Sequence, residues 1–424
     1  MSSSKTLLQQ ALDVIPGGVN SPVRAFRAVG GDPPFIARGE GTWIYDVDGH
    51  EYVDLVSSWG ALLHGHAHPR VVAAVTSAAS RGSSYGAPTE AEVRLAEQIC
   101  ARVPSVERVR LCNSGTEATM HAIRLARGFT GRDLILKMDG NYHGAHDAVL
   151  VQAGSGLATL AIPGSPGVPE GTAAATLVAP YNDLTAVEEV FAAHGDRIAA
   201  VILEPVCGNM GCILPLPGFL EGLRSITQKH GSVLIFDEVM TGFRLAAGGA
   251  QERFGITPDL TCMGKVVGGG FPMAAFGGRA DIMAYLAPEG PVYQAGTLSG
   301  NPVAVAAGLA TLELLNDGVY AQLEESGRRI EETLAPSLAY HGLSFARIGS
   351  MFTVFFREQA PTNFAEAREC DLEAFGRYFS AALNGGVYLP PSQFEAAFFT
   401  AQLKGRALEL ATDGMSSAIV AALA

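Results

Sequence analysis

One lysine of this 424-residue chain lies in a stretch that holds no other charge. Lys265 belongs to TCMGKVVGGGFPMAAFGG, residues 261–278. Burial of an ammonium group is costly or lowers its pKa. A lysine of lowered pKa can form a Schiff base with a carbonyl compound, whereas a structural lysine reaches solvent with its charged head. We expect the glycines at 268–270 to let the backbone approach a ligand.

A second motif has the residue types of a phosphate site. Ser114, Gly115 and Thr116 lie in CNSGTEA, residues 112–118, where a strand-like run gives way to a helical pattern. Backbone N–H groups and hydroxyls at a helix N-terminus bind phosphate well. The alternative is an ordinary strand-to-helix turn with a capping box formed by Ser114 and Glu117.

A buried acid and an aromatic residue follow two other strand-like runs. Asp237 and Glu238 end VLIFDE, residues 233–238, and a carboxylate buried there needs a partner. A pyridinium nitrogen would be such a partner. Alternatively, the two acids lie at the surface just past the strand end and need no partner. Tyr142 lies between glycines in DGNYHGAHD, residues 139–147, where it either stacks on a flat cofactor or packs in a tight turn.

Together these motifs provide a phosphate cradle, a stacking aromatic, a buried acid and an isolated lysine. They come in chain order at the ends of successive strand-like runs. Pyridoxal phosphate requires each of these parts, and the combination is far more specific than any one motif.

The elements that would position these residues form an alternating pattern. Short apolar runs alternate with helical stretches between about residues 61 and 278, which predicts a doubly wound α/β domain with a mostly parallel sheet. Ligands collect at the carboxyl ends of the strands in such sheets. The predicted strands are 109–112, 134–138, 199–205 and 233–238, and the predicted helices between them include 116–129 and 216–231.

The length suits about two domains. We expect a large cofactor-binding α/β domain over residues 61–310 and a smaller α+β domain built from residues 311–424 and the N-terminal segment 1–60. Asp48-Gly49 predicts a hairpin turn in the N-terminal segment, and Asn301-Pro302 predicts the start of a long helix. A final helix is expected from about Phe394.

Composition excludes several function classes. The formal net charge of −13 argues against nucleic acid and membrane surfaces as partners, because both are polyanionic. No apolar run approaches the ~18 residues of a membrane span, and the N-terminus lacks the pattern of a signal peptide. We therefore expect a cytoplasmic protein.

Residues that commonly ligate metals give no such pattern here. The six cysteines form no CxxC pair and lie mostly in apolar runs, which favours reduced, buried thiols. His64, His66 and His68 alternate, but we expect them in a tight turn that leads into a helix, and we expect no metal site.

The chain resembles the class III, fold-type I pyridoxal-phosphate aminotransferases over nearly its whole length. The segments SPVRAF (21–26) and GVYLPPSQFEAAF (386–398) are similar to the branch that isomerises glutamate-1-semialdehyde to 5-aminolevulinate for tetrapyrroles. The alternative is a class III aminotransferase that acts on a β- or ω-amino acid with a separate amino donor. The other segments that carry the resemblance are 16–20, 65–69, 112–127, 140–147, 204–211, 237–244, 264–279 and 293–302.

The resemblance implies a role for each matching residue. Lys265 forms the Schiff base with pyridoxal 5′-phosphate, which cycles with pyridoxamine 5′-phosphate, and carries the proton. The other implied cofactor contacts are Asp237 at the pyridine nitrogen, Tyr142 on the ring, Asn209 at the ring hydroxyl, Ser114, Gly115 and Thr116 at the phosphate, Val239, and Thr297 from the second subunit of a homodimer. The implied substrate contacts are Arg24 and Ser21 at the carboxylate, Trp59 and Glu395.

The resemblance also implies a mobile segment and a partner. Residues 145–177 are rich in glycine and small residues, which fits a lid that closes the site, and a long surface loop is the alternative. Glutamyl-tRNA reductase is an implied partner for substrate transfer.

Overall fold

The computed structural model describes residues 3–152, 159–160 and 162–424. Its helices alternate with strands from residue 90 to residue 283, as the sequence predicts. The strands are β1 (Ile36–Glu40), β2 (Trp43–Asp46), β3 (Glu51–Asp54), β4 (Arg108–Cys112), β5 (Leu134–Met138), β6 (Val151–Gln152), β7 (Thr159–Leu160), β8 (Ile162–Pro163), β9 (Thr176–Ala179), β10 (Ile198–Leu203), β11 (Val233–Glu238), β12 (Leu260–Met263), β13 (Ala274–Gly278), β14 (Ser344–Ile348), β15 (Met351–Phe355), β16 (Val387–Tyr388) and β17 (Ala397–Phe398).

The helices range from single turns to 25 residues. They are α1 (Ser4–Val14), α2 (Ser57–Gly60), α3 (Pro69–Ala79), α4 (Glu90–Arg102), α5 (Gly115–Thr130), α6 (Glu170–Ala173), α7 (Leu184–His194), α8 (Phe219–His230), α9 (Gly249–Phe254), α10 (Ala280–Met283), α11 (Pro302–Glu313), α12 (Asp317–His341), α13 (Phe364–Ala367), α14 (Leu372–Asn384) and α15 (Arg406–Leu423). Short 3-10 turns occupy Pro16–Gly18, Pro22–Ala25 and Lys265–Gly268.

The central sheet has the strand order β4-β13-β12-β11-β10-β5-β9-β7. Strands β12, β11, β10, β5 and β9 run parallel, and β13 is antiparallel to both β12 and β4. The carboxyl ends of β4, β5, β10, β11 and β12 therefore meet at one edge of the sheet. The predicted doubly wound α/β fold with a mostly parallel sheet is confirmed.

Alternate side chains of each central strand enter opposite layers of the core, as the period-2 geometry of a strand requires. In β11, Leu234 and Phe236 pack in the layer that contains residues of α7 and α8. Val233 and Ile235 pack in the layer that contains residues of α5. Both faces of β11 are covered, so this strand has no polar face. Its last two residues are the acids Asp237 and Glu238.

The N-terminal and C-terminal parts of the chain share a smaller sheet. Strands β2 and β3 form the predicted hairpin, with Gly49 at a φ of 93° in its turn. Strand β16 adds to β3 in parallel and gives the order β1-β2-β3-β16. This pairing agrees with a small unit built from both ends of the chain, and the division near residues 60 and 310 stays a prediction.

Two boundaries differ from the expected ones. The final helix begins at Arg406, because residues near Phe394 form a turn and then strand β17, which pairs with β15. The expected lid includes Thr176, which is buried in strand β9 of the central sheet. Residues 153–158 and 161 of that expected lid lie outside the described residues.

The helix predicted after Asn301 is confirmed. The Asn301 side chain accepts a hydrogen bond of 2.9 Å from the Ala304 N–H, and Pro302 occupies the first helical position. Within residues 3–152, 159–160 and 162–424, no single helix is long and apolar enough to span a membrane. The pair α11 and α12 meets that test jointly by length and composition, but with a bend of 78°.

The glycines at 268–270 allow close packing, and the expected approach of their backbone to a ligand stays a prediction. A Cβ atom on Gly269 would overlap the Thr311 hydroxyl and lie 3.0 Å from the Ala307 carbonyl oxygen, both on α11. A Cβ atom on Gly270 would lie 2.8 Å from Leu62 Cδ2. The turn after Lys265 is thus pressed against a helix of the core.

We expect Gly269→Ala to destabilise the protein more than Gly255→Ala. Both glycines have a left-handed φ, 57° and 68°, so both variants carry a backbone strain of ~1–2 kcal/mol. A Cβ atom on Gly255 has nothing within 4 Å, whereas the one on Gly269 adds overpacking of ~1–3 kcal/mol. Chemical unfolding of both variants measures the difference, and equal losses would show that the packing at Gly269 is loose.

Candidate cofactor and substrate site

A cavity of about 490 Å³ opens at the carboxyl edge of the central sheet. Loops that follow five strands of that sheet contribute to its wall. This volume is in the range of small-molecule sites in proteins. The predicted site residues on the wall are Arg24, Ser114, Gly115, Thr116, Tyr142, Asn209, Asp237, Val239 and Lys265.

The predicted phosphate cradle is the N-terminus of a 16-residue helix, α5. Ser114 is the N-cap, and its hydroxyl accepts a hydrogen bond of 3.2 Å from the Glu117 N–H. The expected capping box is incomplete, because the Glu117 carboxylate accepts its backbone bond from the N–H of Asn113 at 2.8 Å instead of that of Ser114. The cradle keeps free donors at a helix N-terminus, where an anion is stabilised.

Close packing fixes the walls of this cradle. A Cβ atom on Gly115 would lie 3.0 Å from Val239 Cγ1, and one on Gly264 would lie equally close to the same atom. Val239 therefore spaces the cradle from the turn that carries Lys265. The Thr116 hydroxyl accepts a hydrogen bond of 3.1 Å from the Ala145 N–H, which ties the cradle to the loop after β5.

Asp237 is paired with a histidine that the sequence analysis left without a role. Its Oδ2 atom lies 2.7 Å from His143 Nδ1, and its Oδ1 atom accepts a hydrogen bond of 3.1 Å from the Val239 N–H. Burial lowers the pKa of the His143 imidazole, and Asp237 acts in the opposite direction. An imidazole that donates from Nδ1 orients the Asp237 carboxylate, as a partner of a pyridinium nitrogen requires.

Lys265 lies on the wall with a left-handed φ of 49°. Burial lowers the pKa of its ammonium, and the carboxylates of Glu395, Glu204 and Asp237 act in the opposite direction. Among the described residues, no acceptor lies within hydrogen-bond distance of Nζ. A lysine of this kind is poised to react with a carbonyl compound.

Tyr142 and Asn209 come from the loops after β5 and β10. The Tyr142 side chain is half exposed on the cavity wall, and its N–H donates a 2.8 Å hydrogen bond to Glu204 Oε1. The Asn209 side-chain amide donates to Glu204 Oε2 at 3.1 Å. Both residues therefore have the same buried acid behind them.

Four of the predicted residues are not part of this cavity wall. Ser21, Trp59, Glu395 and Thr297 do not line the cavity, and Thr297 is exposed. Burial raises the pKa of the Glu395 carboxyl to about 7, and the Lys265 ammonium acts in the opposite direction, so the two groups are electrostatic neighbours.

Trp59 belongs to a turn of unusual hand. Ser57, Ser58, Trp59 and Gly60 have φ angles of 48°, 53°, 58° and 87°, so α2 is a left-handed turn. Left-handed conformations are strained for residues other than glycine and need outside support. The Asp54 carboxylate gives part of it by accepting the N–H groups of Val56 and Ser57 at 2.8 and 2.9 Å.

Arg244 gives the other part of that support. Its guanidinium is 1% exposed and donates to the Gly60 carbonyl at 2.6 Å, the Ser350 hydroxyl at 2.8 Å and the Phe399 carbonyl at 3.3 Å. Burial lowers the pKa of Arg244 to about 9. This cation has no carboxylate within ion-pair distance in the part of the chain described, so the three neutral acceptors bear its charge.

Sequence reasoning missed His143, Glu204 and Arg244, although all three stand inside motifs that it selected. The available signal was a charged or titratable residue within the six residues that follow a buried strand. His64, His66 and His68 have separate surroundings: His64 contacts the Thr311 carbonyl at 3.0 Å, His66 contacts Asp54 at 2.7 Å, and His68 precedes helix α3 as its N-cap. All six cysteines are unpaired.

The wall fits pyridoxal phosphate. The free donors at the α5 N-terminus suit a phosphate, the charged Asp237 suits a pyridinium nitrogen, and Lys265 suits an aldehyde. His143 Nε2 is buried and has no partner among the described residues, so the imidazole is committed to Asp237 alone. The arrangement can therefore hold the cofactor and move a proton beside it.

Comparison with known proteins identifies related chains. Residues 26–404 match the family model for class III aminotransferases. A curated glutamate-1-semialdehyde 2,1-aminomutase from Myxococcus xanthus is 59% identical over 93% of this chain and 92% of its own length. One from Brevibacillus brevis, named glutamate-1-semialdehyde 2,1-aminomutase 2, is 58% identical over 93% of both chains.

Solved structures show the same fold. An omega-transaminase from Sphaerobacter thermophilus superposes with a TM-score of 0.91 and 35% identity, covering 99% of this chain and 98% of its own. A glutamate-1-semialdehyde aminomutase from Pseudomonas aeruginosa PAO1 in complex with PMP gives a TM-score of 0.89 and 27% identity, covering 99% of this chain and 94% of its own.

We expect Arg244→Met to loosen the turn that carries Trp59. The variant leaves the Gly60 carbonyl without its donor, and an unsatisfied buried acceptor costs ~1–3 kcal/mol. In a Trp43→Phe background Trp59 is the only tryptophan, so acrylamide quenching of its fluorescence reports on this turn. Quenching should increase and the melting temperature should fall.

Arg224→Met is the matched control. Arg224 is also largely buried, but it pairs with Asp259 at 2.8 Å, away from the turn. It should lower the melting temperature without a change in quenching. Unchanged quenching in Arg244→Met would show that Asp54 alone holds the turn.

Proposed function

Because the chain belongs to the class III aminotransferases, we propose that it is an isomerase that converts glutamate-1-semialdehyde to 5-aminolevulinate by intramolecular amino transfer. The observation that carries the proposal is the 58–59% identity to aminomutase relatives over 93% of the chain. The reaction moves the amino group from the fourth to the fifth carbon of the same skeleton through 4,5-diaminovalerate, and it feeds tetrapyrrole synthesis. Substrate and product are isomers, so no second amino acid is consumed.

The cofactor is pyridoxal 5′-phosphate, which cycles with pyridoxamine 5′-phosphate. When bound, it carries the amino group and withdraws electrons from the reacting carbon of the substrate. We assign its phosphate to Ser114, Gly115 and Thr116. Tyr142, Asn209, Asp237 and Val239 hold the remaining faces of the ring.

Lys265 anchors the cofactor and carries the proton. Its pKa is lowered by burial, so a neutral amine at Nζ is accessible to take a proton from the reacting carbon and return it. Asp237, oriented by His143, keeps a negative charge against the ring nitrogen. In this proposal Lys265 moves the proton and Asp237 maintains the charge of the ring.

The substrate carboxylate binds to Arg24. Among the described residues on the cavity wall, Arg24 is the only arginine, and a guanidinium fork suits one carboxylate. If only the carboxylate is bound, the flexible carbon chain of the substrate lets both amine positions reach the same cofactor atom. Binding at two points would fix the substrate in one orientation. Ser21, Trp59 and Glu395 complete the substrate site in this proposal.

We also propose a homodimer in the cytoplasm. Thr297 is exposed and absent from the cavity wall of its own chain, and the nearby Tyr293 and Leu298 are large exposed hydrophobic residues, which favours a contact with a second subunit. The unpaired cysteines fit a reducing compartment. The reactive aldehyde substrate favours direct transfer from glutamyl-tRNA reductase.

The proposed function predicts turnover of glutamate-1-semialdehyde with no added amino donor. Purified protein loaded with cofactor should form 5-aminolevulinate, measured colorimetrically after condensation to a pyrrole. Lys265→Ala is the control and should be at least ~10²-fold slower, because it lacks the proton carrier. Turnover that depends strictly on added alanine or glutamate would favour the aminotransferase with a separate donor.

We expect Arg24→Ala to raise KM for glutamate-1-semialdehyde at least ~10-fold, or about 1.4 kcal/mol, with an unchanged spectrum of the bound cofactor. The reason is loss of the carboxylate clamp while the ring contacts stay. Arg27→Ala is the control, because Arg27 is also exposed, three residues away, and does not line the cavity. An unchanged KM for Arg24→Ala would place the clamp elsewhere.

A further inference from the structure

One buried acid joins the two loops that carry Tyr142 and Asn209. Glu204 directly follows β10 and is 2% exposed. Its Oε1 atom accepts the Tyr142 N–H at 2.8 Å, and its Oε2 atom accepts the Gly208 N–H at 2.9 Å and the Asn209 side-chain amide at 3.1 Å. The loop after β5 and the loop after β10 are thus tied to one carboxyl group.

Glu204 is also held through its main chain. Its backbone N–H donates to Asn141 Oδ1 at 2.8 Å, and the Asn141 amide donates to Cys207 Sγ at 3.2 Å. Asn141 directly precedes Tyr142, so this second contact crosses between the same two loops. The Glu204 backbone is therefore fixed to the loop after β5 as well.

The surroundings of Glu204 disfavour its charged form. Burial raises the pKa of its carboxyl to about 7, and the nearby Asp237 carboxylate acts in the same direction. The Tyr142, Gly208 and Asn209 donors act in the opposite direction. All three contacts need an acceptor, so any replacement that brings a donor to either oxygen position breaks at least one of them.

We propose that Glu204 is a positioning residue of the cofactor site, which presets the Tyr142 backbone and the Asn209 amide before the cofactor binds. This inference rests on the proposed contacts of Tyr142 with the ring face and of Asn209 with the ring hydroxyl. Neither residue is held by its own secondary structure, because both lie in loops. Glu204 supplies the rigidity that a binding wall needs.

Glu238 provides a matched comparison in the same chain. It is 1% exposed and is the last residue of the neighbouring strand β11. It also accepts several hydrogen bonds, from the Thr241 hydroxyl at 2.9 Å and from the Gln251 N–H and side-chain amide at 3.1 and 3.0 Å. These partners belong to helix α9 and the turn before it, and Glu238 does not line the cavity. The two acids thus differ in what they position.

The test compares Glu204→Gln with Glu238→Gln. Each variant keeps the side-chain volume and turns one acceptor oxygen into a donor. For Glu204→Gln we expect the dissociation constant of pyridoxal phosphate to rise roughly tenfold or more, about 1.4 kcal/mol, with altered circular dichroism of the bound cofactor. For Glu238→Gln we expect a lower melting temperature of the cofactor-free protein and an unchanged dissociation constant.

A double variant tests the route of the effect. If Glu204 acts through Asn209, then Glu204→Gln adds less to the dissociation constant in an Asn209→Ala background than in the natural one. Additive effects, or equal dissociation constants for the natural protein and Glu204→Gln, would overturn the proposal. If Glu204→Gln does not fold, Glu204→Asp replaces it in the test. The aspartate keeps the charge but is too short to contact both loops. An unchanged dissociation constant of pyridoxal phosphate for Glu204→Asp would also overturn the proposal.

Failure of this inference is distinguishable from failure of the proposed function. The dissociation constant and the circular dichroism report on the cofactor without any substrate. Absence of donor-free turnover with normal cofactor binding would overturn the aminomutase reaction alone. Normal turnover in the natural protein with unaltered cofactor binding in Glu204→Gln would overturn the positioning role alone.

Discussion

The pairing of Asp237 with His143 is the contact on which the site depends. A carboxylate that is 4% exposed would be protonated or lost without a partner, since burial disfavours charge. The 2.7 Å contact with His143 Nδ1 orients one oxygen, and the Val239 N–H binds the other. The loop after β5 and the end of β11 are thereby fixed to each other.

Other buried charges follow the same rule with different partners. Glu204 is satisfied by three donors from two loops, whereas Arg244 is satisfied by three neutral acceptors around the turn that carries Trp59. Lys265 has no such set of partners among the described residues, so its burial is relieved by a lowered pKa. The group left without compensation is the one to which we assign the reaction.

Backbone conformation sets the position of the reactive groups. Lys265 and the turn from Ser57 to Gly60 all have left-handed φ angles, which side chains other than glycine rarely adopt. Both strained segments pack against core elements. Gly269, in the turn after Lys265, packs against α11. The turn from Ser57 to Gly60 packs against β17, where the Ser57 hydroxyl donates to the Phe398 carbonyl. The strain is thus maintained by tertiary contacts, as is common at functional sites.

The sequence alone predicted four strands of the central sheet, the order of the motifs at their ends and the lysine that we propose as the reactive one, because an apolar run and a charge within it are local signals. It also determined the family through long motifs. Only the tertiary structure decided the partners of buried groups: that Asp237 meets His143 across 94 residues, that Glu204 faces Tyr142 across 62, and that Gly269 packs on helix α11. Side chains far apart in the chain become neighbours only when parallel strands align, and a single sequence carries no local signal of that register.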